Sequence, residues 1–333
     1  MSHENTKPRT RIISRVFAFL LFMAGVSPAA AADRYALLIA GAAGAEEYGL
    51  KYQSWQIAMS SLLRVRFDYP EDHIITLAEH AARGVNASTR DNVRAAVADL
   101  QRRARPDDTV FILLTGHGTT GGADEAKFNL VGPDLTATEW AALLEPIQGR
   151  LIVVNSASGS FPFLQLLSKR GRIVVTATAS AMQEYETVFP EFFLKAFGDP
   201  AADADKNDRV SIWEAFVYGT AGVRKWFDER GQLPTERALL DDTGDGAGRE
   251  ADDVKGEDGA IAQVTYLQPD VPIAAPADSE LGALMRRRAD LQAQLDLLRA
   301  RKPNLPETQY ESELERLLLE LARIDRDIRA QRR

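Results

Sequence analysis

Five short apolar runs punctuate residues 34–176, and polar stretches with helical spacing separate them. Residues 34–40 (RYALLIA), 73–77, 109–115 (TVFILLT), 151–154 and 172–176 (RIVVT) each have the length of a strand. The run 109–115 is unbroken between Asp107-Asp108 and Gly116, as expected of a central parallel strand covered on both faces. Between the first two runs, Trp55, Met59, Leu62 and Leu63 fall on one helical face over residues 52–66. Ser88 or Thr89 can cap a helix that carries Val93, Val97 and Leu100. Thr136 and Glu139 form a capping box ahead of Trp140, Leu143 and Leu144, and another helix is predicted around residues 163–167. This alternation predicts an α/β fold: a doubly wound, mostly parallel sheet with helices on both faces. In such sheets the working residues gather beyond the carboxyl ends of the strands. Two ends carry unusual sequences here, TGHGTTGG after the third run and NSASGS after the fourth.

The flanks are built differently. Arg9, Arg11 and Arg15 precede an apolar run, 16–26, too short to span a bilayer, and SPAAAAD follows it. This predicts a signal peptide over 1–32, cleaved after Ala30 or Ala32, with an uncleaved anchor as the competing reading. The mature chain is then soluble, free of membrane, and periplasmic or extracellular. The segment holds four basic residues and one acidic residue, so its removal moves the formal net charge from −8 to −11. That balance repels phosphate backbones and argues against nucleic acid as a partner. Cysteine is absent, which excludes disulfides and every thiol mechanism. An α/β domain is expected over 33–267 and a Pro- and Ala-rich linker over 268–279. Beyond it, Leu284, Leu291, Leu295 and Leu298, then Tyr310, Leu314, Leu317, Leu321, Ile324 and Ile328, follow heptad spacing. Residues 280–333 are therefore expected to form an antiparallel coiled-coil hairpin. Its seam either closes the hairpin on itself or serves self-association or an envelope partner.

The two strand ends carry a resemblance. FILLTGHGTTGG resembles the catalytic-histidine segment of the legumain family of peptidases, which have a caspase-like fold. LIVVNSASGSF is similar to that family's nucleophile segment, Glu-Ala-Cys-Glu-Ser-Gly-Ser after an apolar strand. Laying Ser158-Gly159-Ser160 on the terminal Ser-Gly-Ser puts Ser156 at the cysteine position. VVTATASAMQEYE looks like the strand that flanks the family's substrate pocket. The resemblance implies His117 and Ser156 as the catalytic pair, with Lys51, Gly118 and Ala157 bordering the substrate. Lys51 stands where the family has its pocket arginine and lacks the planar fork that reads an amide or carboxylate. Ala157 replaces an acidic residue. A hydroxyl in place of a thiolate needs a base held at close range. The expectation is thus an exported peptidase homologue, impaired in catalysis, that binds peptide or protein in the cell envelope. An active endopeptidase or amidase using Ser156 and His117 is the alternative.

One acidic loop offers metal chemistry. Asp203, Asp205, Asn207, Ser211 and Glu214 match side-chain positions of a twelve-residue EF-hand loop, with Arg209 contributing its carbonyl. Asp208 stands where glycine usually makes the turn. Ca²⁺ is the cation this donor set suits, while Ser211 and Glu214 equally satisfy a capping box. A second stretch, with Asp241, Asp242 and Asp245, either lines a metal or turns the chain. No motif points to an organic cofactor.

Overall fold

The computed structural model describes residues 32–120, 126–253, 256–269, 280–301 and 305–331. The predicted signal peptide, apart from its last residue, and most of the predicted linker lie outside these.

Strands β1 (Arg34–Ala40), β2 (Ile74–Ala78), β3 (Asn86–Ala87), β4 (Thr109–Thr115), β8 (Arg150–Asn155), β9 (Ile173–Thr176) and β10 (Leu239–Asp241) form one sheet. Its order is β10-β9-β8-β4-β1-β2-β3, parallel except for β10, which runs antiparallel to β9. The three remaining strands, β5 (Gly118–Thr119), β6 (Lys127–Phe128) and β7 (Leu135–Thr136), make a small antiparallel sheet after β4.

Alternation along β1 sorts the core into two layers. Ala36, Leu38 and Ala40 face one side with α1 (Glu46–Ser61), α5 (Phe189–Ala196) and α6 (Ile212–Asp228). Tyr35, Leu37 and Ile39 face the other with α2 (Arg90–Arg103), α3 (Ala137–Leu144) and α4 (Phe161–Leu167). The doubly wound, mostly parallel sheet with helices on both faces is therefore as expected. Thr89 rather than Ser88 caps α2, accepting the Asn92 N–H at 3.3 Å. The predicted capping box at Thr136 and Glu139 is formed on α3. The helix expected over residues 52–66 starts earlier, at Glu46, and ends in a π-helical turn over 62–66.

Chain order fixes where the sheet reverses. From β1 the chain moves outward to β2 and β3, then returns to β4 on the opposite side of β1 and continues to β8 and β9. The crevice outside the carboxyl ends of β1 and β4 is the topological switch point, where open α/β sheets bind ligands. At the other end of the chain, α7 (Glu280–Arg301) and α8 (Glu307–Gln331) pair along Leu291, Leu295, Leu298, Leu317 and Leu321. Arg287 meets Glu320 at 3.1 Å across the pair, which places the helices antiparallel. Among the described residues, no helix is long and apolar enough to cross a membrane.

Candidate functional site

His117 leaves β4 at the switch point, and its half-buried ring is held by α1. The Tyr52 hydroxyl lies 3.1 Å from His117 Nε2, and the Tyr48 ring meets the imidazole edge-on at 5.0 Å between centroids. Burial holds the Tyr52 phenol well above its usual range, and the charges of Glu186 and Tyr48 push the same way. The phenol therefore keeps its proton and shares the contact with the imidazole as donor or acceptor.

The neighbouring exit, after β8, runs through Ser156, Ala157, Ser158 and Gly159. Ser156 is 1 % exposed, and its hydroxyl donates to the Leu114 carbonyl at 2.7 Å. Neither Ser156 nor His117 has the other as its hydrogen-bond partner among the described residues. Ala157, expected along the substrate, is also 1 % exposed and packs in the core with Val153 and Phe163. Strand alternation continues past the end of β8 and turns that methyl inward, away from any surface a substrate can touch. The residue that does join the two exits is Ser158, whose Oγ accepts the Gly118 N–H at 3.2 Å. Gly118 owes its identity to this contact, since a Cβ there would sit 2.3 Å from the Ser158 carbonyl oxygen.

Residues 177–188 fold over both exits. Gln183 accepts the Gly159 N–H at 2.8 Å through its backbone carbonyl, and Thr187 donates its hydroxyl to the Ser156 carbonyl at 2.5 Å. Glu186 pairs with Lys51 at 2.9 Å, while the Lys51 ammonium sits 5.0 Å from the Trp55 ring centroid. The charge expected to recognise substrate is thus engaged within the protein. Glu236, buried nearby, accepts the Val188 and Phe189 N–H groups at 2.7 and 3.2 Å, at the start of α5. Burial pushes its carboxyl up to about 7, against the opposing pull of those two N–H groups and of Lys51.

No family model matches the chain, and no curated protein does. The solved structures to which the chain is similar include two of low identity. Protein GSU0716 from Geobacter sulfurreducens is 12 % identical, with a TM-score of 0.42 over 63 % of this chain and 92 % of that one. The Drosophila initiator caspase Dronc is 10 % identical, with a TM-score of 0.40 over 65 % of this chain and 81 % of that one. Neither brings a function to this chain.

Beside His117 lies an open cleft of about 610 Å³ that the sequence did not signal. It sits at the carboxyl ends of β1 and β2 and includes Gly41, Glu46, Tyr52, Glu79 and His80 in its walls. Tyr52 belongs to both places: it lies in the cleft wall and its hydroxyl meets the imidazole.

The acidic loop stands apart from these residues in sequence, between α5 and α6. Carboxylate oxygens of Asp203, Asp205 and Glu214 lie within 4.8 Å of one another. Asp203 accepts the Asn207 and Asp208 N–H groups at 3.0 and 2.9 Å, and Asn207 Oδ1 accepts the Arg209 N–H at 2.9 Å. Asp208 adopts a left-handed φ of 67°, the conformation glycine ordinarily supplies at that loop position. The capping box is formed as well: Glu214 Oε2 accepts from Ser211, and Ser211 Oγ accepts the Glu214 N–H at 3.1 Å. The second acidic stretch turns the chain. Asp241 accepts the Gly244 and Gly246 N–H groups, and Asp242 accepts those of Gly259, Ile261 and Ala262.

Proposed function

We propose that this protein is an exported, non-catalytic relative of the legumain/caspase-type peptidases that binds peptide or protein segments at the exits of β1, β4 and β8. One observation carries the reading: the Ser156 hydroxyl is spent on the Leu114 carbonyl, inside the protein, while His117 Nε2 is engaged by Tyr52. A serine nucleophile needs its hydroxyl within reach of a base and of a substrate carbonyl, and Ser156 has neither. The basic, apolar N-terminus supports export, and the surplus of acidic residues supports a partner other than nucleic acid.

A fluorophosphonate probe applied to the full chain tests this. The expected result is no labelling; labelling that Ser156→Ala abolishes would overturn it. The contact between Gly118 and Ser158 favours a second reading, an endopeptidase or amidase working at the joined exits, so Ser158→Ala belongs in the same comparison.

We also propose Ca²⁺ as the ligand of residues 203–214. The support is the grouping of three carboxylates with the left-handed turn at Asp208, in the order an EF-hand loop requires.

A further inference from the structure

We infer that the cleft at the carboxyl ends of β1 and β2 seats a lysine or arginine side chain of a bound peptide, with Glu79 and Glu46 as its counter-charges. The inference rests on the peptide-binding reading and specifies the class of peptide. The cleft volume, about 610 Å³, falls in the range of ligand sites and far exceeds one side chain, so the adjoining backbone also fits.

Charge decides the ligand. The walls carry two carboxylates and His80, and no lysine or arginine. Glu46 and Glu79 have no hydrogen-bond or ion-pair partner among the described residues. Glu46 has a local reason to be acidic, since it opens α1 beside Glu47 and complements the helix dipole. Glu79 has none: it follows the last residue of β2 and is half-buried. Elsewhere the protein satisfies its enclosed carboxylates with backbone N–H groups, as at Asp241, Asp242 and Asp258. Glu79 lines the cleft without such a partner, which leaves its charge available to a cation that enters.

Geometry selects an organic cation over a metal ion. Among the described residues, only Asp203, Asp205 and Glu214 are grouped tightly enough to ligate a metal, so Glu46, Glu79 and His80 lie too far apart. Leu50, 61 % exposed in the cleft wall, offers apolar surface to an aliphatic stem. Lys51, next in the chain to Leu50 of the cleft wall, is paired with Glu186, so it offers an acidic peptide no uncommitted ammonium.

The test titrates the full chain, 15N-labelled at glycine, with N-acetyl-argininamide and separately with the matching glutamate amide. Expected are shifts of Gly41, Gly44 and Gly49 with arginine alone, weakened about tenfold in Glu79→Gln, less in Glu46→Gln, and reduced by added salt. No shift, or equal shifts with both amides, overturns the cation seat. Alanine-based heptapeptides with a central Arg, Glu or Ala separate the two readings. Binding of all three alike, with the glycines unmoved, would retain peptide binding and discard the seat. Arginine amide shifting the glycines while no heptapeptide gains affinity would retain the seat and discard the peptide reading.

Discussion

Tyr52 and His117, 65 residues apart in the chain, meet through the phenolic oxygen and Nε2 at 3.1 Å. A helix residue thereby occupies the imidazole nitrogen that a nucleophile's proton would otherwise reach. Tyr52→Phe keeps the ring packing and removes that contact. It is expected to cost about 1 kcal/mol in denaturant unfolding and to redistribute the His117 tautomers, read from imidazole 15N shifts. Unchanged 15N shifts would show that the phenol does not hold the ring.

Ser156→Cys puts a single thiol into a chain that has none. Because the side chain at this position is buried and turned toward Leu114, the thiol is expected to resist iodoacetamide in the folded protein and react only on unfolding. Rapid alkylation under native conditions would place position 156 at the surface and revive the nucleophile reading.

Glu236 gives the protein a pH dependence of known sign. Its folded-state carboxyl, at about 7, lies above the ordinary value of 4.5, so the folded chain binds this proton more tightly than the unfolded chain does. The stability it lends is complete below pH 4.5, declines as pH rises toward 7 and is gone above that, a loss on the order of 3 kcal/mol. Lys51 and Glu186 act on the same carboxyl with opposite signs. Glu236→Gln should flatten the decline between pH 5 and 7, at a lower baseline because one of the two N–H groups loses its acceptor. Denaturant midpoints across that window would reveal whether the wild-type slope survives the substitution.

The sheet was legible because buried parallel strands leave continuous apolar runs: TVFILLT appears in the fold as β4, residue for residue. Helix starts were legible where a hydroxyl and a carboxylate sit three apart, as at Thr136 and Glu139. The small sheet was not, since strands of two residues carry no periodicity, and β10 has only three. In the site, the segment TGHGTTGG at the end of an apolar run is what makes His117 legible, through its resemblance to a peptidase histidine segment. The inward turn of Ala157 continues the alternation that puts Leu151 and Val153 on the same face. The partnerships of Tyr52 with His117 and of Lys51 with Glu186 join distant segments and leave no local signal.

Calcium is expected to raise the melting temperature of the full chain, and Glu214→Gln to remove most of that gain. The glutamine also weakens the capping box, so its effect without calcium must be subtracted, at about 1 kcal/mol. Asp208 offers the sharper test, because its carboxylate is not among the three that group together. An L-residue at φ 67° sits in a costly region, and glycine does not, so Asp208→Gly should stabilise the loop by roughly 1 kcal/mol. The substitution leaves the Asp208 N–H, and with it the bond to Asp203, in place. A loop that only caps α6 would gain that stability equally with and without the cation. A calcium loop would show in addition a tighter Kd in calorimetric titration, because the turn that gathers Asp203 and Asp205 is better preorganised. Stabilisation in Asp208→Gly with no measurable calcium heat in either protein would leave the capping role standing and remove the metal.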